Sequence, residues 1–133
     1  MTADLAAFLR ARLDEQEAAA VAAGGRGEVW QALGTGVYST PLDDDAPPLI
    51  TTGPEAGGSD DDAARAVHVA LHDPARVLRG VQATRRVVAE RELSQAADDA
   101  DPSDAATPAF ETALRFLAVA YADHQEYRPE WAP

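Results

Sequence analysis

Large apolar side chains recur at intervals of three and four residues over most of this chain, and no other feature constrains the fold as strongly. This spacing places the side chains on one face of an α-helix. In the first such segment the recurring positions are Leu5, Phe8, Leu9 and Leu13. Arg10 and Arg12 are assigned to the opposite, polar face, and Gly24 ends the pattern. The sequence therefore predicts a helix over residues 3–23.

Three further helices are predicted over about residues 59–72, 74–95 and 108–123. Ser59 and Asp73 precede two of them, and their side-chain oxygens can accept the free backbone N–H groups of a first helical turn. Pro74 directly follows Asp73 and suits the first position of a helix.

The segment between the first two helices has a different pattern. Two short runs rich in β-branched and aromatic residues lie on either side of Gly34-Thr35-Gly36, and Leu49 to Thr52 forms a third run. A small antiparallel β-hairpin or three-stranded sheet is expected over about residues 28–52. The predicted fold class is therefore α+β.

The length of 133 residues indicates a single domain over residues 1–133. Residues 96–107 are polar and rich in Asp, and we interpret them as a mobile acidic loop. Residues 125–133 contain Tyr127 and Trp131. We expect this C-terminal tail to dock against the sheet, because an exposed Trp would create a costly apolar patch.

Charge and composition exclude several classes of protein. The chain has 23 acidic residues against 11 Arg and no Lys, which gives a net charge of -12, and it contains no Cys. Disulfide scaffolds and Cys-ligated metal sites are therefore excluded, and the charge argues against a nucleic-acid partner. No apolar run approaches the ~18–20 residues that cross a bilayer, and the N-terminus lacks the basic region of a signal peptide. The predicted location is cytoplasmic, without a membrane partner.

The three histidines form a candidate metal site. His68 and His72 are four residues apart on a predicted helix, so both rings can reach one ion. His124 could supply a third ligand, and Asp73 and Asp123 could each orient a neighbouring His. In the competing structural interpretation, His72 ends its helix and His68 is half-buried. No cofactor is expected on that interpretation, and a divalent metal such as zinc is the alternative.

Arginines are concentrated in the third predicted helix. Arg76, Arg79 and Arg86 are the candidate residues for binding an anion or a partner, since guanidinium groups bind carboxylates and phosphates with two parallel hydrogen bonds. The alternative is that these arginines are solvated and pair with nearby acidic residues.

Three blocks of the sequence resemble a known family. They are residues 4–15 (DLAAFLRARLDE), 68–79 (HVALHDPARVLR) and 114–131 (LRFLAVAYADHQEYRPEW). The family consists of small proteins from actinobacteria and their phages, and it is catalogued as a domain of unknown function. The resemblance implies an actinobacterial or phage setting and places all three histidines inside family-like blocks. It implies no activity.

No complete catalytic motif is present in the sequence. The leading hypothesis is therefore a non-enzymatic protein-interaction module with a protein partner, or with a second copy of the chain through an open sheet edge. The first alternative is a His-ligated metal-binding protein or metal-dependent enzyme. The second is an acidic mimic of nucleic acid that inhibits a host or phage enzyme, with Asp60 to Asp62 among the mimicking carboxylates.

Overall fold

The computed structural model describes residues 2–25, 27–54 and 58–133. In this part of the chain the helices are α1 (Thr2–Gly24), α2 (Asp60–Ala70), α3 (Pro74–Ala100) and α4 (Thr107–Ala118), and the strands are β1 (Trp30–Leu33), β2 (Gly36–Ser39) and β3 (Ile50–Thr51). Short 3-10 turns cover Pro102–Asp104, Val119–Tyr121 and Pro129–Trp131. The predicted α+β fold, with four helices and a small antiparallel sheet, is confirmed. Every helix in the described residues is too short or too polar to span a bilayer.

Some predicted helix ends are wrong. α2 ends at Ala70 rather than at residue 72, because the His72 N–H bonds to the Val69 carbonyl, three residues back, in place of the helical partner four residues back. α3 continues to Ala100 rather than ending at residue 95.

The predicted acidic loop over residues 96–107 is consequently half helical. Its first five residues belong to α3, and the 3-10 turn Pro102–Asp104 follows. The Asp98 carboxylate accepts the backbone N–H groups of Ala106 at 3.1 Å and Thr107 at 2.8 Å, and so caps the start of α4 from outside that helix. The C-terminal end of α4 also differs from the prediction, since the helix ends at Ala118 and a 3-10 turn replaces the predicted helix to residue 123.

The contacts divide the chain into two compact units. The first unit comprises Met1–Glu15 and Gly80–Pro133, and the second comprises Gln16–Arg79. α1 and α3 each contribute one part to each unit. The prediction of one domain over residues 1–133 stays a prediction.

The interior of the first unit contains large apolar side chains from α1, α3, α4 and the C-terminal tail. The buried members of this cluster are Leu5, Ala6, Phe8, Leu9, Val88, Leu114, Ala118 and Trp131. The Phe8 ring lies 5.0 Å from the Trp131 ring and 6.1 Å from the Tyr127 ring, measured between centroids. The tail over residues 125–133 therefore packs against α1. Its docking against the sheet stays a prediction.

The second unit is built on the sheet, whose strand order is β1-β2-β3 with both pairings antiparallel. Gly34 has a φ of 58° in the turn between β1 and β2, a conformation that glycine adopts without the steric cost of a Cβ atom. α2 packs on one face of the sheet, where Val37 is fully buried against Ala66 and Ala70. Alternate residues of β1 are half-buried and exposed, as expected for a sheet covered on one face.

α2 begins with the predicted cap at Ser59. The Ser59 hydroxyl accepts the Asp62 backbone N–H, and the Asp62 carboxylate accepts the Ser59 backbone N–H at 3.1 Å. This reciprocal pair is a capping box with Asp in the place more often occupied by Glu. The hydrogen bonds from the Ser59 backbone and hydroxyl, assisted by Arg65, hold the pKa of Asp62 below its usual value.

Candidate functional site

His68 and His72 lie side by side at the C-terminal end of α2. Their ring centroids are 4.5 Å apart, and both side chains are exposed. His72 Nδ1 lies 2.8 Å from the His68 carbonyl oxygen. Because a carbonyl oxygen accepts and never donates, Nδ1 carries the hydrogen and His72 Nε2 keeps its lone pair when the ring is neutral.

Asp73, predicted to orient a histidine, is buried at the start of α3. Its carboxylate accepts the backbone N–H of Arg76 at 2.7 Å and that of Trp30 at 3.4 Å. The structure thus shows Asp73 as a helix cap and as a link between α3 and β1. Asp123, the other predicted orienting carboxylate, is exposed and forms no hydrogen bond or ion pair within the described residues.

His124 belongs to the first unit, whereas His68 and His72 belong to the second. His124 Nδ1 lies 2.8 Å from the Arg12 guanidinium and 3.1 Å from the Glu126 backbone nitrogen. Both neighbours are donors, so Nδ1 is the acceptor and the ring hydrogen is on Nε2. Across the described residues, no group of three or more His, Asp or Glu side chains is arranged to hold a metal ion.

Sequence reasoning missed the burial of Arg12, which is 6% exposed. Its guanidinium lies 5.1 Å from the Phe8 ring centroid and forms ion pairs with Glu15 at 2.7 Å and Glu126 at 2.9 Å. Hydrogen bonding to Glu126 raises the pKa of Arg12, although burial opposes this effect. The signal was present in the sequence, because Arg12 follows Phe8 by four residues and therefore shares its helix face.

Trp30 lines two open pockets of the second unit. The first has a volume of about 290 Å³ and is lined mainly by apolar side chains of α1, β1 and α3: Ala19, Ala20, Ala23, Trp30, Pro74 and Val77. The second has a volume of about 310 Å³ and includes Trp30, Val67, Ala70, Leu71, Arg76 and Arg79. We call the two pockets together the Trp30 groove. Val67 and Leu71 are about half exposed at its edge, at 51% and 50%.

The predicted anion-binding arginines differ in their position relative to this groove. Arg76 and Arg79 line its second pocket, whereas Arg86 lies in the first unit and lines neither pocket. The side chains of all three form no ion pair or hydrogen bond within the described residues. Two neighbours on α3 do pair, Arg85 with Asp14 at 2.6 Å and Arg91 with Glu111 at 2.9 Å.

In a comparison with family models, residues 2–133 match a family described as a family of unknown function (DUF6221). No curated protein and no solved structure matches the chain.

Proposed function

We propose that this chain, which belongs to the DUF6221 family of unknown function, acts by binding another protein and that the Trp30 groove is its docking surface. The observation that carries this proposal is the combination of open apolar volume and exposed apolar side chains around a half-buried Trp. Trp and Arg residues at the edge of a preformed pocket are the side chains that most often dominate the binding energy of protein interfaces.

The proposed setting is the cytoplasm of an actinobacterium or of a phage-infected actinobacterial cell. The resemblance of the three sequence blocks and the Arg-rich, Lys-free composition support it. A cytoplasmic partner protein suits a chain without Cys, which has no need of an oxidising compartment.

The test is co-purification from source cells with a matched pair of variants. Leu71→Glu places a charge at the edge of the groove, and Leu93→Glu places the same charge at an exposed leucine of the first unit. We expect wild type and Leu93→Glu to retain a partner in stoichiometric amount and Leu71→Glu to lose it. Equal recovery with both variants, or no stoichiometric partner at several salt concentrations, would contradict the proposal.

The paired rings of His68 and His72 favour a second candidate function, the binding of a divalent metal such as zinc. The hydrogen bond from His72 Nδ1 to the His68 carbonyl leaves His72 Nε2 available as a ligand, which is the arrangement that protein metal ligands commonly use. Metal content measured on protein purified without a histidine tag tests this candidate. Near-stoichiometric metal that disappears in His68→Ala supports it, and trace metal with unchanged melting on added zinc contradicts it.

A further inference from the structure

The second pocket of the Trp30 groove combines apolar surface with positive charge. Trp30, Val67 and Leu71 supply the apolar surface, and the exposed guanidinium groups of Arg76 and Arg79 lie at the same pocket. The two arginines are three residues apart on α3, so they share a helix face with their Cβ atoms about 5–6 Å apart. Both guanidinium groups can therefore approach one carboxylate, or two neighbouring ones.

The charge at this pocket contrasts with that of the whole chain. Acidic residues outnumber Arg by 23 to 11, and six arginines of the described residues form ion pairs with them: Arg10, Arg12, Arg65, Arg85, Arg91 and Arg128. Within the described part of the chain the side chains of Arg76 and Arg79 form no ion pair, although carboxylates are abundant there. The carboxylate that lines this pocket, Asp73, already accepts two backbone N–H groups.

We infer, building on the proposed function, that the groove takes a segment of a partner protein in which an aliphatic or aromatic residue stands next to Asp or Glu. The apolar side chain enters the volume of about 310 Å³ beside Trp30. The neighbouring carboxylate binds Arg76 and Arg79 with charge-assisted hydrogen bonds.

Electrostatics favours a short acidic protein segment over a nucleic acid. A phosphate backbone carries charge far beyond the groove, where a chain of net charge -12 repels it. A single carboxylate is dominated by the nearest arginines, because salt at physiological strength screens charges over about 8 Å.

The probe is a displayed library of random twelve-residue peptides selected on the full chain. Enriched peptides are synthesised together with analogues in which Glu becomes Gln, Asp becomes Asn, or the apolar residue becomes Ala. Binding is measured by titration and located by NMR from the Trp30 indole N–H and the backbone amides of α2 and α3. The double variant Arg76→Ala/Arg79→Ala tests the anion contact, and Arg86→Ala removes the same charge from the same helix outside the groove.

We expect enriched peptides to pair an acidic with an apolar residue and to shift the Trp30 signal. The double variant and the Gln or Asn analogues should weaken binding by about tenfold or more, and Arg86→Ala should leave it within about twofold. The reversed variant Arg76→Glu/Arg79→Glu should reject the acidic peptides and bind their Lys analogues.

The outcomes that overturn the inference are distinct from those that overturn the proposed function. The acidic-segment inference would be refuted if uncharged apolar peptides bind the groove, or if acidic peptides bind the arginine variants as tightly as wild type. In both cases the groove would remain a docking surface. The acidic-segment inference is also refuted if no peptide binds but co-purification yields a partner that the Leu71→Glu variant loses. If neither experiment returns a ligand, both proposals are wrong. A dimer in light scattering that the Arg76→Glu/Arg79→Glu variant abolishes would identify the occupant as a second copy of this chain.

Discussion

In the first unit, aromatic rings fill the interior: Phe8 contacts Trp131, and Tyr127 lies edge-on to Trp131 with ring centroids 5.9 Å apart. In the second unit, α2 meets the sheet through Val37, Ala66 and Ala70. Each unit contains one of the two tryptophans of the chain, but Trp131 is 4% exposed, whereas Trp30 is half-buried and borders two open pockets.

The size of the facing side chains explains this difference. Alanines on α2 allow the helix to approach the sheet closely, but each buries little apolar area and cannot fill space to its side. The interior of the first unit contains Leu, Phe and Trp side chains, and the Trp131 ring is enclosed. The unit closed by small residues leaves Trp30 beside open pockets, whereas the unit closed by large residues encloses Trp131.

The largest expected effect on the free energy of unfolding comes from replacing the two tryptophans. Trp131→Ala removes a buried ring from the first unit and should reduce the free energy of unfolding by about 3–5 kcal/mol. Trp30→Ala removes a half-buried ring from the second unit and should cost at most about 2 kcal/mol. Urea unfolding followed by circular dichroism measures both values.

The two variants should differ in their binding of groove peptides. Trp30→Ala should abolish the binding of groove peptides, and Trp131→Ala should retain it at temperatures where the variant is folded. A Trp30→Ala loss as large as that of Trp131→Ala would show that Trp30 belongs to the core, and the contrast between the units would then fail.

The second prediction concerns the small-residue core of the second unit. Val37 is fully buried on the middle strand, and its partner across the sheet, Ile50, is 39% exposed. Val37→Ala should reduce the free energy of unfolding by about 2–3 kcal/mol, from lost burial and a residual cavity. Ile50→Ala, the matched control, should cost less than about 1 kcal/mol. Hydrogen exchange should show the Val37→Ala loss at the amides of β2 and α2.

The helices and strands could be predicted because the signals that specify them are local. The spacing of Leu5, Phe8 and Leu9 marks α1, and Ser59 marks the start of α2. The end of α3 depends on a distant contact instead. Asp98 holds the start of α4 by hydrogen bonds to residues eight and nine positions later, which no helical period reveals.

The candidate site was predicted in part. Arg76 and Arg79 stood out because they interrupt an acidic sequence, and both line the groove. The apolar half of the groove was missed, since Trp30 and Leu71 are 41 positions apart and become neighbours at one pocket through packing of α2 on the sheet. Sequence spacing alone cannot reveal a volume that forms between three elements.

The third prediction concerns Asp73, which caps α3 beside the groove. Asp73→Ala removes the acceptor for the Arg76 and Trp30 backbone N–H groups and should cost about 0.5–2 kcal/mol in the free energy of unfolding. Asp73→Asn keeps a side-chain oxygen at the cap and should recover most of this loss. If the Asn variant is as unstable as the Ala variant, the negative charge of Asp73 matters more than its hydrogen bonds.

The smallest expected effect on stability is in acid, and we compare one carboxylate with a lowered pKa from each unit. Hydrogen bonds from the Ser59 backbone and hydroxyl lower the pKa of Asp62 in the second unit, and those from the Ser103 hydroxyl and backbone lower the pKa of Asp101 in the first, both from an ordinary value of 3.8. A carboxylate with a lowered pKa in the folded state contributes stability above its unfolded pKa and loses it as the pH falls through the folded pKa.

Melting temperatures between pH 5 and pH 2 should therefore fall less steeply in Asp62→Asn and Asp101→Asn than in wild type. Asp123→Asn is the control and should follow wild type, since the Asp123 side chain is exposed and has no hydrogen bond among the described residues. If Asp62→Asn flattens the slope and Asp101→Asn does not, the capping box of α2 contributes more to the acid sensitivity than the turn at Asp101 does.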